Sequence, residues 1–324
     1  MMKSSLLVIG LVFGGVTNCF AQDPHFSQFY SNPLYLNPAF AGSTGCGRAA
    51  FNARYQWPAV DGDYKTISAS YDAQVDAVKG GLGVLLLHDQ AGLGTLATTR
   101  LSGIYSYQLE VSSNFTIRAA LEATYENRRV DRSKLYFGDQ IDPRYGFIYP
   151  TAENIANPSK SFLDVQAGFI GYTDRLYFGF AAHHLTQPQQ NFLNGPASNL
   201  SRKYTGHIGA MIPLGSNRYM VKEERTVISP NILFMMQNKY LQVNLGVYFQ
   251  SGPLVAGLWY RNNDAGIAML GIQKEKFKVG YSYDFTISKL NNNTSAGAHE
   301  ISIGLNVDCV DKQRNYRMLD CPAF

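Results

Sequence analysis

The chain has 324 residues, with 28 Lys and Arg against 24 Asp and Glu for a net charge of +4, and only 16% of its side chains are charged, where a soluble enzyme of this size carries about 25%. The basic residues form no cluster, which argues against a nucleic-acid partner. Low charge combined with 30 Gly, 21 Tyr and 19 Phe, and no long apolar stretch beyond the first 21 residues, points to a transmembrane β-barrel.

Residues 1–21, MMKSSLLVIGLVFGGVTNCFA, place Lys3 ahead of an apolar run from Leu6 to Val16 and end in Cys19-Phe20-Ala21. These are the parts of a secretory signal peptide, and cleavage is expected after Ala21. The apolar run is short of the roughly 20 residues a spanning helix needs, and Asn18 stands where a lipoprotein signal wants a small residue. Residues 22–46 follow, opening QDPHFSQFYSNPLYLNPAFAGS; Pro24, Pro33 and Pro38 limit regular structure, while Phe26, Phe29, Tyr30, Tyr35 and Phe40 offer apolar surface. We expect a plug-like or docking segment that enters the barrel mouth or lumen from the periplasmic side, with those five aromatics as its partner-binding or plug-forming residues.

From residue 47 to 308 the chain alternates. In LQVNLGVYFQ (241–250), Leu241, Val243, Leu245, Val247 and Phe249 interleave with Gln242, Asn244, Gly246, Tyr248 and Gln250; in a strand the two sets face opposite sides. The pattern returns in FKVGYSYDF (277–285) and HEISIGLNVD (299–308). Extended to the whole region, it predicts an all-β fold, an antiparallel transmembrane barrel of about fourteen strands. The strands fall at 47–57, 64–73, 80–89, 97–110, 115–127, 161–173, 175–186, 203–213, 226–237, 239–250, 253–262, 265–274, 276–285 and 297–308. With both termini periplasmic, the longest connections, 128–160 and 187–202, fall outside, as such barrels require. Tyr105, Tyr107, Tyr125, Phe169, Tyr172, Tyr177, Tyr248, Trp259, Tyr260, Tyr281, Tyr283 and Phe285 lie near strand ends, where aromatic girdles are expected.

Residues 309–324 form a periplasmic tail, in which Lys312, Arg314 and Arg317 are candidate contacts for an acidic partner. Cys309 and Cys321 can staple this tail and leave Cys46 free, although spacing alone does not settle the pairing. No zinc-type spacing is present, and no cofactor is expected. The tandem His183-His184 reads as a polar pair at a strand end, its two side chains on opposite faces. No G-x-S-x-G elbow accompanies either His, and no catalysis is expected. Asp139 and Asp142 read as turn formers around an Asp-Pro step rather than as calcium ligands.

DPHFSQFYSNPLYLNPAFAG (23–42), followed by RYQWP (54–58), SYD (70–72), GGLGVLLLHDQAG (80–92), IYSYQL (104–109), KLYFGDQI (134–141) and GYSYDFTISKL…GAHEISI (280–303), closely resembles the PorP/SprF family of Bacteroidetes outer-membrane proteins. The resemblance covers nearly all of the mature chain. It implies a noncatalytic barrel of the type IX secretion system that meets outer-membrane lipid, periplasmic parts of the machine and secreted cargo, such as gliding-motility adhesins bearing type B C-terminal domains. A passive porin or hydrophobic-solute transporter is the alternative the same barrel allows.

Overall fold

The computed structural model describes residues 23–45, 47–60, 62–152, 158–192, 199–214, 226–274, 276–287 and 296–307. The expected leader at 1–21, Cys46, and the tail with Cys309, Lys312, Arg314, Arg317 and Cys321 lie outside the described residues.

Fourteen long strands make up the wall among the described residues: β1 Gly47–Gln56, β2 Tyr64–Val75, β3 Gly80–Ala91, β4 Leu96–Ser112, β5 Phe115–Val130, β6 Ser159–Tyr172 and β7 Leu176–His183, then β8 Lys203–Ala210, β9 Thr226–Gln237, β10 Tyr240–Ser251, β11 Leu254–Arg261, β12 Ala265–Gln273, β13 Phe277–Thr286 and β14 Ala298–Val307. Each pairs antiparallel with the next, and β1 pairs with β14 from Gly47 opposite Val307 to Gln56 opposite Ala298, which closes the barrel. The three residues Ile212–Leu214 extend β8 along β9. The boundaries depart from the predicted ones by three residues at most, as where β5 runs on to Val130 and β7 stops at His183.

Alternation sets the two faces. Along β2, Thr66, Ser68, Ser70 and Asp72 are buried while Ile67 and Tyr71 are exposed. Along β10, Gln242, Asn244 and Tyr248 are buried while Leu241, Leu245, Val247 and Phe249 are exposed. Along β14, Glu300 and Ser302 are buried while Ile301, Ile303, Leu305 and Val307 are exposed. A polar inside and an apolar outside invert the arrangement of a protein dissolved in water and match a barrel whose outer face meets lipid.

The connections divide by length. One end carries the short turns 76–79, 113–114, 173–175 and 252–253; the other carries both of the longest connections, 131–158 and 184–202. In the first of these, Asp142 accepts hydrogen bonds from the backbone N–H of Arg144 and Tyr145 at 2.7 and 3.0 Å, which makes it the turn former its Asp-Pro step indicated.

Four aromatics depart from the expected girdle. Tyr172, Tyr177, Tyr248 and Trp259 are buried, at 1, 1, 1 and 4% exposure, and face inward. The cause is what they pack against: the interior holds an aromatic segment of the same chain. Tyr105, Tyr107, Tyr125, Phe169, Tyr260, Tyr281 and Phe285 are exposed on the outer face.

Candidate functional site in the barrel interior

Residues 23–45 contain three short helical turns, Phe29–Ser31, Pro33–Leu36 and Pro38–Phe40. Two begin at Asn-Pro steps, where Pro takes the first helical position without sacrificing a needed N–H. The Asn37 side chain caps the last of them by accepting from the Ala39 N–H at 3.0 Å. Such tight turns leave few backbone groups paired within the segment, so the inner face of the wall supplies the partners.

The segment runs the length of the barrel. At the short-turn end, the Gly42 N–H donates to Asp72 Oδ2 at 2.7 Å. Arg48 grips the same carboxylate through Nε and Nη2 at 2.9 and 3.0 Å and donates from Nη2 to the Phe40 carbonyl at 2.9 Å. The Ala41 carbonyl accepts from Ser106 Oγ at 2.6 Å and Arg118 Nη2 at 2.9 Å. Here the segment approaches the wall so closely that a Cβ on Gly81 would lie 2.1 Å from the Ala41 oxygen and 2.5 Å from its carbonyl carbon.

Midway, Asn37 Nδ2 donates to the carbonyls of Phe169 and Phe180 on β6 and β7 at 3.0 and 3.2 Å. Asn32 Nδ2 donates to Ser68 Oγ on β2, across the interior, at 2.6 Å. The aromatics fill the space between. Phe29 meets Trp259 edge-on with centroids 4.9 Å apart, Tyr30 lies 5.8 Å from Tyr177 and 6.4 Å from Tyr248, and Phe40 stacks on His207 at 5.4 Å. All three are buried, as is Phe26, whose ring is 5.4 Å from that of half-buried Tyr35.

Toward the end with the long connections, Ser27 and Gln28 donate their backbone N–H groups to Glu300 at 2.6 and 3.2 Å, and Ser27 Oγ donates to Asp284 at 2.6 Å. Arg54 and Arg261 close the charge balance on Asp284 at 2.9 and 3.1 Å. The first described residue, Asp23, lies beyond them. Its carboxylate meets Arg100 Nη2 at 3.0 Å, His184 Nε2 at 2.7 Å and Lys203 Nζ at 3.2 Å. Its backbone N–H donates to Gln237 Oε1 at 3.0 Å. Gln237 ends β9, Lys203 begins β8 and His184 follows the last residue of β7, so Asp23 sits at the far end of the interior from Gly42. The segment therefore traverses the interior from one end to the other.

The tandem histidines do not point to opposite faces. His184 lies just past β7 with a left-handed φ of 57°, which breaks the alternation and leaves both side chains buried. Its ring bridges two carboxylates, Asp23 at 2.7 Å and Asp164 at 2.6 Å. Two carboxylate partners require both ring nitrogens to donate, which only the imidazolium does. Burial works against that charge, but Asp23 and the hydrogen bond to Asp164 outweigh it, and the His184 pKa is raised above its ordinary 6.5. Burial likewise opposes the Asp23 carboxylate, and Arg100, His184 and Lys203 overcome it to hold its pKa well below the usual carboxylate range.

The sequence singled out the aromatics of the segment and missed its polar residues. Asp23, Ser27, Gln28, Asn32 and Asn37 are all buried and carry the directional bonds to the wall. Only Asn32 and Asn37 carried a signal, through the Asn-Pro step that initiates a turn.

A closed antiparallel barrel with an apolar exterior, a polar and aromatic interior, and its long connections at one end is an outer-membrane β-barrel. Over residues 18–305 the chain matches the family described as Type IX secretion system membrane protein PorP/SprF, and it belongs to that family. No curated protein matches it. Among solved structures, it is similar to the toluene transporter TbuX of Ralstonia pickettii, at 10% identity and a TM-score of 0.47 over 85% of this chain and 93% of the transporter. A FadL homologue of Pseudomonas aeruginosa aligns at 13% identity and a TM-score of 0.45, over 84% of this chain and 94% of that one.

Proposed function

We propose that this barrel is a noncatalytic component of the type IX secretion system that supports the export or surface anchoring of large secreted proteins, such as gliding adhesins with type B C-terminal domains. Family membership over residues 18–305 is the observation that carries this reading. The barrel acts by binding and positioning: a rigid wall holds the connections and termini that meet cargo on one side and periplasmic parts of the machine on the other. The end bearing 131–158 and 184–202 faces the cell exterior. Residues 23–45 act as a plug, with Phe26, Phe29, Tyr30, Tyr35 and Phe40 as its body, so that the resting barrel conducts neither ions nor solutes; their burial against the inner wall supports this.

The test is an affinity pull-down of the tagged protein from detergent-solubilised outer membranes, with mass spectrometry of what is retained. Recovery of a large secreted protein through its C-terminal domain supports an anchor or exporter. Recovery of periplasmic ring components without cargo supports a role in the core apparatus. Recovery of neither, together with steady ion conductance in planar bilayers, overturns the proposal in favour of a passive porin.

A further inference from the structure

Three cations converge on one carboxylate at the end of the interior that carries the long connections. Asp23 Oδ1 meets Arg100, Oδ2 meets His184 and Lys203, and the main-chain N–H beside it is received by Gln237. We propose that Arg100, His184, Lys203 and Gln237 form a socket for an acidic residue of a peptide, that Asp23 is its resident intramolecular ligand, and that an acidic peptide in trans can take its place.

Two features separate a socket from a mere anchor point. First, its members keep partners of their own when Asp23 leaves. Arg100 Nε is bound to Glu126 at 2.6 Å, and Glu126 is bound in turn to Arg128 at 2.8 Å. His184 is held by Asp164 at 2.6 Å, and Gln237 Nε2 donates to the Ser201 carbonyl at 3.3 Å. The walls of the site therefore persist without the occupant. The charges left behind are those of Arg100, Lys203, His184 and Arg128 against Glu126 and Asp164, with Asp89 and Glu122 on the neighbouring inner positions of β3 and β5. These four cations and four carboxylates balance, but Arg100, His184 and Lys203 all lose the carboxylate they share, and their donors at the vacated position suit an incoming carboxylate.

Second, the socket reads more than charge. The carboxylate is gripped from two sides, while Gln237 accepts the N–H of the same residue. A free anion satisfies the first requirement, and only an acidic residue within a peptide satisfies both. Asp23 also lies at the end of the described segment, outside the aromatic packing of Phe29, Tyr30 and Phe40. Its carboxylate can leave without dislodging them.

The experiment uses the full mature barrel in detergent with Asp23→Ala, and acetate as the probe, at constant ionic strength against acetamide. Acetate is expected to raise the unfolding midpoint of Asp23→Ala saturably, by about elevenfold in the folded-to-unfolded ratio at ten times its dissociation constant. Acetamide has no such effect, wild type does not respond, and adding Lys203→Gln abolishes the response. A synthetic peptide spanning residues 22–30 then competes more strongly than its Asp23→Asn counterpart in the same assay. Equal responses to acetate and acetamide overturn the socket, and equal responses to the two peptides overturn its recognition of an acidic residue within a peptide. If Asp23→Ala yields no folded barrel, Asp23→Asn takes its place; failure of both makes Asp23 part of the framework and overturns the exchange. None of these readouts depends on the secretion role, so the two proposals fail separately.

Discussion

Substituting Phe29 by Ala isolates the packing of the N-terminal segment from the integrity of the wall. Phe29 is 4% exposed, and its ring centroid lies 4.9 Å from that of Trp259 at an interplanar angle of 61°. Truncating a buried Phe to Ala costs about 3–5 kcal/mol, of which about 0.5–1.5 kcal/mol belongs to an edge-on aromatic pair beyond its area. The wall closes through its own backbone ladder, β1 to β14 included, so the cost falls on docking of the segment rather than on the barrel. At 1.4 kcal/mol per tenfold, the docking equilibrium drops by about two to three and a half powers of ten. The chain has only 2 Trp, and with Trp57→Phe as background Trp259 becomes the sole reporter. Its emission shifts to longer wavelength and its quenching by acrylamide rises, while circular dichroism and the heat-modifiable migration of the barrel remain. Leu258→Ala, one residue away but 65% exposed on the lipid face, leaves Trp259 as it was. An unshifted, unquenched Trp259 in Phe29→Ala refutes the reasoning, because the ring would then not be what shields the indole.

Gly81→Ala drives a Cβ to 2.1 Å from the backbone oxygen of Ala41; overpacking of this kind costs about 1–3 kcal/mol. Gly103→Ala on β4 meets nothing within 4 Å and leaves the unfolding midpoint in place, and a thermal melt of the pair checks the contrast. Asp72→Ala strips a buried two-point partner from Arg48 and an acceptor from Gly42; breaking such a pair costs about 3–5 kcal/mol, read as a lower denaturation midpoint. The Asp23–His184 contact has a pH window with two limbs. The His184 contribution is complete below its ordinary 6.5 and lost as pH rises through its raised value, and the Asp23 contribution is complete above 3.8 and lost as pH falls through its lowered value. Stability of the wild type measured against pH therefore falls off on the alkaline side, and His184→Gln removes that fall. For orientation, an epitope inserted after Tyr145 is stained on intact cells and one inserted after Gly252 only after permeabilisation; the reverse pattern inverts the assignment.

The wall was legible because lipid on one side and a polar interior on the other impose a two-residue period along every strand. In 241–250 parity alone placed Tyr248 with Gln242 and Asn244, which is where it lies. The expectation of girdles at strand ends pulled the same residue outward, and Tyr172, Tyr177 and Trp259 with it. Parity was the better guide, because it follows from backbone geometry, whereas an aromatic suits an interface or an aromatic interior equally well. The partners of the segment were not legible. Ser27 and Glu300 are 273 positions apart, and no local pattern ties two such residues before the barrel has closed. His184 was misplaced for a related reason: alternation holds only while the strand lasts, and β7 ends at His183.

The segment uses two kinds of contact at different heights, and the difference has a physical basis. Burying Phe29, Tyr30 and Phe40 against Trp259, Tyr177 and His207 removes apolar surface from water, but such contacts are non-directional and tolerate a small slide along the barrel axis. Hydrogen bonds to charged partners do not, since they weaken steeply as distance and angle depart from ideal. They gather toward the two ends of the segment: Gly42 and the carbonyls of Phe40 and Ala41 on Asp72, Arg48 and Arg118 at one, and Asp23 on Arg100, His184 and Lys203, followed by Ser27 and Gln28 on Asp284 and Glu300, at the other. The aromatics supply the bulk of the attraction, and the ionic contacts fix the position along the axis. Because the outermost contact at the long-connection end is made by one residue, Asp23, through its carboxylate and its N–H, it is the part of the assembly that a competing ligand can release first.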